Sequence, residues 1–590
     1  MQYMESLEYK ILAEYYNLIE NESSRLEKTR LISELLTKVK NNTKNNEIYR
    51  IILLLQGKVF PEWSDNKTGI SDKIVSKALS LATGKTTDEI VKHINISGDL
   101  GKTTEELISK KKQNTLFSSI LTIEKVFKNI EKLSSLEGTG TISNKVQLVA
   151  ELFTSASPIE AKYIARTAIG DLRVGASLST IRDAVVKTFF EEIYENRDQS
   201  EENKKEFENI INGVQRAYDL INDLGEVAQI ISEKGLKEIY KTRIRTLRPI
   251  NPMLYFKAKN IEDGFDIVKK PALIEYKYDG FRVQVHKKNE IVKLFTRRLE
   301  DVSNQFPDII STIKDNVNVN EVVLDCEVLG IDKKTGKLLP FQNISQRIRR
   351  KYDIQRMTKE IPVAIIVFDV LKHKDDDLLD TEFKKRRELL ESIINVEKNK
   401  IEISEAVKTE SIEEANSFYE KSLLLGNEGI MMKSLKKGYK PGSRVGYGVK
   451  IKPILESLDL FITKAEWGHG KRAGWFTSFT VSCMEKDRFF EIGKVGTGIK
   501  ELEDDNEGLT FKKLTETIKP LIIKEQESFV EIKSSIIVEV DYEEIQKSTN
   551  YNSGYALRFP RIKRLRDDIK ESSTIEDVKR IYEEQRGRNS

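Results

Sequence analysis

The sequence predicts a multidomain α+β protein with an all-α N-terminal part, a central α+β domain and a C-terminal β-barrel. Three observations predict it. Apolar residues recur at helical spacing from Met1 to about Lys241, as in Leu7 to Leu18 and Ile210 to Ile231, with few alternating runs. At Arg243 to Leu254 the composition shifts, and Pro249 and Pro252 force extended backbone. From Ile454 onward short alternating strands, such as Leu458 to Ala465 and Phe476 to Ser482, are separated by glycine-rich turns. The domains so drawn are 1–242, 243–453 and 454–590.

The totals are consistent with this division. A chain of 590 residues makes about three or four domains. A third of the residues are charged but the net charge is only +4, so a basic binding surface must be local. Two cysteines, Cys326 and Cys483, exclude a disulfide framework and a four-cysteine zinc site, and fit a reducing interior. Met1 to Lys10 lacks a signal-peptide core, and no apolar run approaches a membrane span. The expectation is a soluble, cytoplasmic protein with no membrane partner.

In the N-terminal part, helices break at Gly57 to Asp65, Gly98 to Thr103 and Glu137 to Ser143. Gly138-Thr139-Gly140 reads as a turn, because no strand precedes it and no lysine follows at P-loop spacing. Pro158 to Ala176 carries Lys162, Arg166 and Arg173 with turn glycines Gly170 and Gly175. Such a face suits phosphates, although a solvated helix with scattered charges has the same spacing. Gln113-Asn114-Thr115-Leu116-Phe117 follows three lysines. A glutamine with an apolar anchor pair can lodge in a partner's pocket; equally, Leu116 and Phe117 could begin a helix core.

The central domain is organised around Glu275-Tyr276-Lys277-Tyr278-Asp279-Gly280-Phe281-Arg282. On a strand from Pro271 to Tyr278, Glu275 and Lys277 share one face while Ile274 and Tyr276 pack behind. Asp279-Gly280 predicts a hairpin turn, with Phe281, Val283 and Val285 on the returning strand bringing Arg282 back near Lys277. A lysine becomes a nucleophile when it loses its proton, which burial and a second cation encourage. Ile291 to Thr296 then delivers Arg297 and Arg298. In Glu321 to Leu329, Val323, Asp325 and Glu327 share a face, and a carboxylate on so apolar a strand calls for a metal, a ribose or a cation. Phe368, in the strand Val363 to Val370, reads as core or as a flat surface for a base; composition favours core.

Glu428-Gly429-Ile430-Met431-Met432-Lys433, Pro441-Gly442-Ser443-Arg444 and Lys450-Ile451-Lys452-Pro453 follow. Lys450 and Lys452 present two ammonium groups to one face, opposite Val449 and Ile451. Paired lysines ask for an anion such as a triphosphate, or belong to a solvated edge strand. The C-terminal alternation has the texture of an OB-fold barrel. Near its end Arg558-Phe559-Pro560-Arg561-Ile562-Lys563-Arg564 concentrates cations, and Thr574 to Gln585 reads as a closing helix.

The octet around Lys277 resembles the nucleophile motif of the covalent nucleotidyltransferases, and the later motifs follow in that family's order. Glu160 to Arg166 with Gly170 to Gly175 is similar to the helical DNA-binding domain of archaeal and eukaryotic replicative DNA ligases. The resemblance covers nearly the whole chain and is to archaeal ATP-dependent DNA ligases. It implies an N-terminal DNA-binding domain, a nucleotidyltransferase (adenylation) domain and an OB-fold domain that seal nicked duplex DNA in replication, repair and recombination. It makes Lys277 the residue that takes AMP from ATP. Glu275 would bind the adenine edge, Arg282 and Arg297 the ribose and phosphate side, and Phe368 would stack on the base. Glu327 and Glu428 would hold magnesium, Glu327 also facing ATP. Arg444, Lys450 and Lys452 would contact phosphates, and Arg558 and Arg561 would orient pyrophosphate. Lys162, Arg166 and Arg173 would face DNA, and Gln113, Leu116 and Phe117 would dock on a sliding clamp. A monomer at the nucleoid is implied. Where many relatives have a tryptophan two residues before the first lysine of the last central motif, this chain has Gly448. An RNA ligase or capping enzyme would not carry the helical domain, a nick-binding factor would have no use for these carboxylates, and an NAD-using ligase would need zinc-binding cysteines.

Overall fold

The computed structural model describes residues 6–40, 46–111, 120–136, 138, 140–339, 341–348, 350, 352–453, 456–468, 472, 474–486, 488–501, 509–526, 529–533 and 535–585. Contacts divide the chain into two compact units. One comprises Met1–Phe256, Asp279–Glu405 and Ser434–Gly448; the other comprises Lys257–Tyr278, Ala406–Lys433 and Val449–Ser590. The central part of the sequence therefore contributes to both.

In the first unit, helices from Tyr9–Asn21 to Leu236–Tyr240 enclose one apolar core that includes Leu12, Ile52, Phe153, Ile164 and Val214. The single amphipathic stretch expected over Ile210 to Ile231 is two helices, Glu201–Ile221 and Leu224–Lys234. Asn222 adopts φ 53° and closes the first, and the Asp223 carboxylate accepts from the Glu226 N–H to open the second. A polar pair suited to a left-handed C-cap and an N-cap thus breaks a continuous apolar periodicity. At Gly98 the break is equally short, with Asp99 capping Leu100–Ser109.

Among the described residues the strands that follow are β1 Leu254–Lys257, β2 Ala272–Lys277, β3 Phe281–Lys288, β4 Ile291–Thr296, β5 Glu321–Ile331, β6 Leu338–Leu339, β7 Val363–His373, β8 Asp376–Asp377, β9 Ile401–Ile403, β10 Ala406–Thr409, β11 Gly429–Ser434 and β12 Arg444–Ile451. The first unit holds a seven-stranded sheet of order β4-β3-β5-β7-β8, with β6 on β5 and β9 on β7. Alternation gives it two apolar faces. Val283, Leu324 and Val367 pack with Ile309 and Leu390 on one side, while Val323 and Leu371 meet Leu220, Ile250 and Tyr439 on the other.

The hairpin expected at Asp279-Gly280 does not form. β3 pairs with β4 and β5, whereas β2 belongs to another sheet. The turn carries the chain from sheet to sheet, and its glycine is needed for passage. A Cβ at Gly280 would lie 2.3 Å from the Val328 carbonyl oxygen.

That other sheet has the order β1-β12-β11-β2-β10. Ile274, Ile430, Met432, Val449 and Ile451 form its core with Phe265 and Ala415, from the helices Ile261–Val268 and Ile412–Leu424. The C-terminal strands of the second unit build a sheet in which Leu458–Trp467 pairs with three others, bulging at Ile462/Lys464 and Glu466/Trp467. Its core includes Leu460, Phe479, Val481 and Val538. The closing helix is Ile575–Glu584, opened by a Thr574/Asp577 capping box. Among the described residues no helix is long and apolar enough to cross a membrane.

Candidate active site

Behind β2, Ile274 is fully buried and Tyr276 stacks on Phe418 with ring centroids 4.5 Å apart, so Glu275 and Lys277 take the other face. Lys277 ends the strand. Its Nζ lies 2.5 Å from Glu428 Oε2, and the Glu428 N–H donates to the Lys277 carbonyl at 2.8 Å. The same carboxylate oxygen takes Lys452 Nζ at 2.8 Å, and Lys452 also reaches Glu543, from the C-terminal sheet, at 3.2 Å. Lys277 is 22 % exposed and Glu428 only 9 %. Burial alone would raise the Glu428 carboxyl, but Lys277 and Lys452 override it and hold the group well below the usual carboxylate range. Lys452 is raised: burial opposes its charge, and Glu428 and Glu543 more than offset that.

Gly429 makes this meeting sterically feasible. Its φ is 140°, and a Cβ there would sit 2.1 Å from the Ile451 carbonyl oxygen. The start of β11 can therefore close on the end of β12, bringing Glu428 to Lys452. Lys450 is half-buried two residues earlier, with Val449 and Ile451 buried on the opposite face. A second ion pair lies beside the first: Lys433 Nζ is 2.5 Å from Glu275 Oε2.

In the first unit, Arg282 is locked in place. Its Nε and Nη2 donate to the two Asp325 oxygens at 2.8 and 2.5 Å, its Nη1 to the Met253 carbonyl at 2.8 Å, and Nη2 also to Tyr439 Oη at 3.1 Å. Tyr439 in turn donates to Asp325 at 2.9 Å. Asp325, fully buried, thus has its cation, while half-buried Glu327 stands opposite Arg282 in the β3/β5 register. Phe368, expected in the core on composition, is half-buried between buried neighbours, and the Arg282 guanidinium lies 5.6 Å from its ring centroid. Arg297 is held below the ordinary guanidinium range, by burial first and then by Arg282, Arg444 and Arg298, with Glu327 opposing. Three further guanidiniums within electrostatic reach of Arg297 make a place for an anion.

The helical region calls for a correction. Lys162 and Arg166, expected to touch DNA, point inward from the helix Pro158–Ile169 and are buried. Arg166 pairs with Glu20 at 2.9 Å and Asp99 at 2.6 Å, and Lys162 pairs with Glu20 at 3.0 Å. The Lys162 and Arg166 side chains, only 6 % and 2 % exposed, are turned away from solvent and so from a DNA backbone. Arg173, 35 % exposed, is the one of the three at the surface, steered by Asp171 at 2.6 Å and Asp99 at 3.5 Å. At the C-terminal end, Arg558 pairs with Glu544 at 3.2 Å, and Arg561 is exposed. Gln113, Leu116 and Phe117 lie outside the described residues.

Sequence reasoning missed the roles of Tyr439, Lys433 and Glu543. Lys433 had a signal: a lysine in the apolar strand β11 is buried only with a counter-charge. Among the described residues no three carboxylate, histidine or cysteine side chains gather into a metal cage. Glu428 and Glu327 are hard oxygen donors that suit magnesium, an ion that completes its shell with water and substrate phosphates.

Attack on a phosphate by an amine needs a lysine that can shed its proton and cations that receive the developing charge. β2, β11 and the end of β12 bring two lysines to one carboxylate, an arrangement that fits a nucleotidyltransferase. The family follows from comparison. Residues 252–452 match the model described as "ATP dependent DNA ligase domain", 8–186 "DNA ligase N terminus" and 472–569 "ATP dependent DNA ligase C terminal region". The chain is 43 % identical over 585 residues to a DNA ligase of Nanoarchaeum equitans, covering 98 % of this chain and 99 % of that one. It is 39 % identical over 599 residues to a DNA ligase of Methanocaldococcus jannaschii, covering 98 % and 100 %. A solved structure titled "Pmar-Lig_PreS3" shares the fold at TM-score 0.55 and 18 % identity, over 94 % of this chain and 99 % of that one. The chain belongs to the ATP-dependent DNA ligases. It is accordingly an enzyme that uses ATP and seals nicks in duplex DNA.

Proposed function

We propose that Lys277 is the residue that carries AMP, and that Glu428 and Lys452 set its reactivity. The Lys277 amine, once it has given up its proton, attacks the α-phosphate of ATP; an N–P bond forms and the bond to pyrophosphate breaks. AMP then passes to the 5′-phosphate at the nick, and the 3′-hydroxyl attacks that phosphate and expels AMP. The observation that carries this reading is the single Glu428 oxygen shared by Lys277 and Lys452. That carboxylate is the shared partner of both ammonium groups, and were a cation to draw Glu428 away, Lys277 and Lys452 would stand side by side, an arrangement that favours loss of a proton from the nucleophile.

Magnesium, assigned to Glu428 and Glu327, would supply positive charge to the phosphate oxygens when bound. Glu275 reads the adenine edge, Phe368 stacks on the base, and Arg282 and Arg297 face the ribose and phosphate side. Arg444, Lys450 and Lys452 hold phosphates, and Arg558 and Arg561 orient pyrophosphate. Arg173 meets the DNA backbone, while Lys162 and Arg166 support its loop from within. The protein acts as a monomer in the cytoplasm, at the nucleoid, and Gln113, Leu116 and Phe117 dock it on a sliding clamp.

The test incubates the protein with magnesium and α-labelled ATP beside Lys277→Ala, then adds nicked duplex. Label on the wild type alone, discharged as a sealed strand appears, is the expected result. Label discharged only on RNA, or label on both proteins, refutes the reading.

A further inference from the structure

We infer that Lys433 is a specificity-determining positioning residue: by pairing with Glu275 it holds a base-reading carboxylate in place as the acceptor that selects adenine over 6-oxopurines. The inference rests on the proposed role of Glu275 at the adenine edge.

The two ion pairs on β2 and β11 are built differently. Lys277 is 22 % exposed and its partner Glu428 is shared with Lys452. The Glu275–Lys433 pair is dry, its side chains 2 % and 5 % exposed. A pair so buried contributes little net stability, because desolvation cancels most of the Coulomb attraction. Its effect is chemical. An ionised carboxylate only accepts hydrogen bonds, while a protonated one also donates. Glu275 lies on the same face of β2 as Lys277, two residues away, so the strand that carries the nucleophile also carries the group that faces the base.

Adenine presents an amino donor at position 6, whereas guanine and hypoxanthine present a carbonyl acceptor there. An acceptor-only carboxylate therefore engages adenine and leaves a 6-oxopurine with opposed, buried acceptors. Sites that leave a buried polar group unmatched reject the analogue strongly. In Lys433→Met the Glu275 side chain loses the ammonium that holds it and offsets the cost of its burial, so it no longer faces position 6 as a fixed acceptor and discrimination falls.

The experiment measures covalent self-labelling with α-labelled ATP and α-labelled inosine triphosphate, in the full chain with magnesium. The proteins are wild type, Lys433→Met, Lys433→Gln, Lys433→Arg and Glu275→Gln. The readout is the ATP-to-ITP ratio of kcat/KM, which a general loss of packing leaves unchanged because it lowers both values alike. Expected is a fall in that ratio of about tenfold or more in Lys433→Met, carried mainly by a higher KM for ATP. Lys433→Gln should show a similar fall and serves if Lys433→Met does not fold, while Lys433→Arg, which keeps the charge, should stay near the wild-type ratio. If Glu275→Gln shifts the ratio while the folded neutral Lys433 variants stay within about twofold of the wild-type ratio, or if Lys433→Arg lowers it as far as they do, the inference is overturned. If Glu275→Gln itself leaves the ratio unchanged, the base-reading role of Glu275 falls, and this inference with it.

Discussion

Glu428→Gln separates two roles that one side chain combines. In the wild type its Oε2 touches Lys277 at 2.5 Å and Lys452 at 2.8 Å, so the two ammonium nitrogens lie within about 5 Å of each other. A neutral amide keeps the shape and removes the intervening charge. At an effective dielectric near 20, two like charges that close repel by about 3 kcal/mol, and the strain is relieved when either sheds its proton. About 1.4 kcal/mol corresponds to a factor of ten, so the repulsion is worth up to about a hundredfold in the neutral amine. Lys277, being partly exposed, can be probed directly with an amine-acylating reagent at pH 8 without nucleotide, its modification followed by peptide mass spectrometry. Glu428→Gln should raise the rate of that acylation by about ten- to a hundredfold. The same variant should lower ATP-dependent labelling by at least about a hundredfold, as the role proposed for the Glu428 carboxylate requires. Taking the Glu428 charge from two partly exposed ammonium groups, of which Lys452 keeps Glu543, should also cost about 1–3 kcal/mol of stability. Unchanged or slower acylation would refute the electrostatic argument, and undiminished labelling would remove Glu428 from the chemistry.

Other consequences are equally direct. Gly429→Ala puts a Cβ 2.1 Å from the Ile451 carbonyl; β11 and β12 must part, and labelling should fall at least about tenfold while circular dichroism stays near wild type. Arg166→Met strips Glu20 and Asp99 of a buried partner and should destabilise the protein by about 3–5 kcal/mol in thermal melts. Arg173→Gln should leave the melting temperature unchanged, weaken binding to nicked duplex and reduce the salt dependence of binding by about one contact. Asp219 is raised from 3.8 to about 6, chiefly by burial, with Asn251 and Gln215 opposing. The folded chain therefore keeps a proton that the unfolded chain has lost, and stability falls as pH rises through about 4 to 6. Asp219→Asn should raise the melting temperature above pH 6, by at most about 3 kcal/mol of stability, and give no gain below pH 4.

The sequence made the local chemistry readable and the long-range partners unreadable. Alternation in β2 put Glu275 and Lys277 on one face because a strand has a period of two, whatever sheet it joins. It could not say that Asp279-Gly280 changes sheets, since turn residues encode a local bend and not that β3 will pair with β4 and β5 instead of with β2. Lys162 and Arg166 have the spacing of a cationic face, yet they are buried with carboxylates from Glu20 and Asp99. Nothing within their helix reveals that. Phe368 looked like core because its neighbours are apolar, and only the sheet shows that its position opens beneath Arg282. The pairing of Lys433 with Glu275 spans 158 residues, beyond the reach of any local pattern.

The measurement that bears most directly on the account is the site of the covalent nucleotide. Protein incubated with ATP and magnesium, and digested without nicked DNA present, should yield one AMP-bearing peptide, with the modification on the side-chain nitrogen of Lys277. AMP found on another lysine, or on a histidine, would contradict the assignment of Lys277, and with it the role given to Glu428 and Lys452.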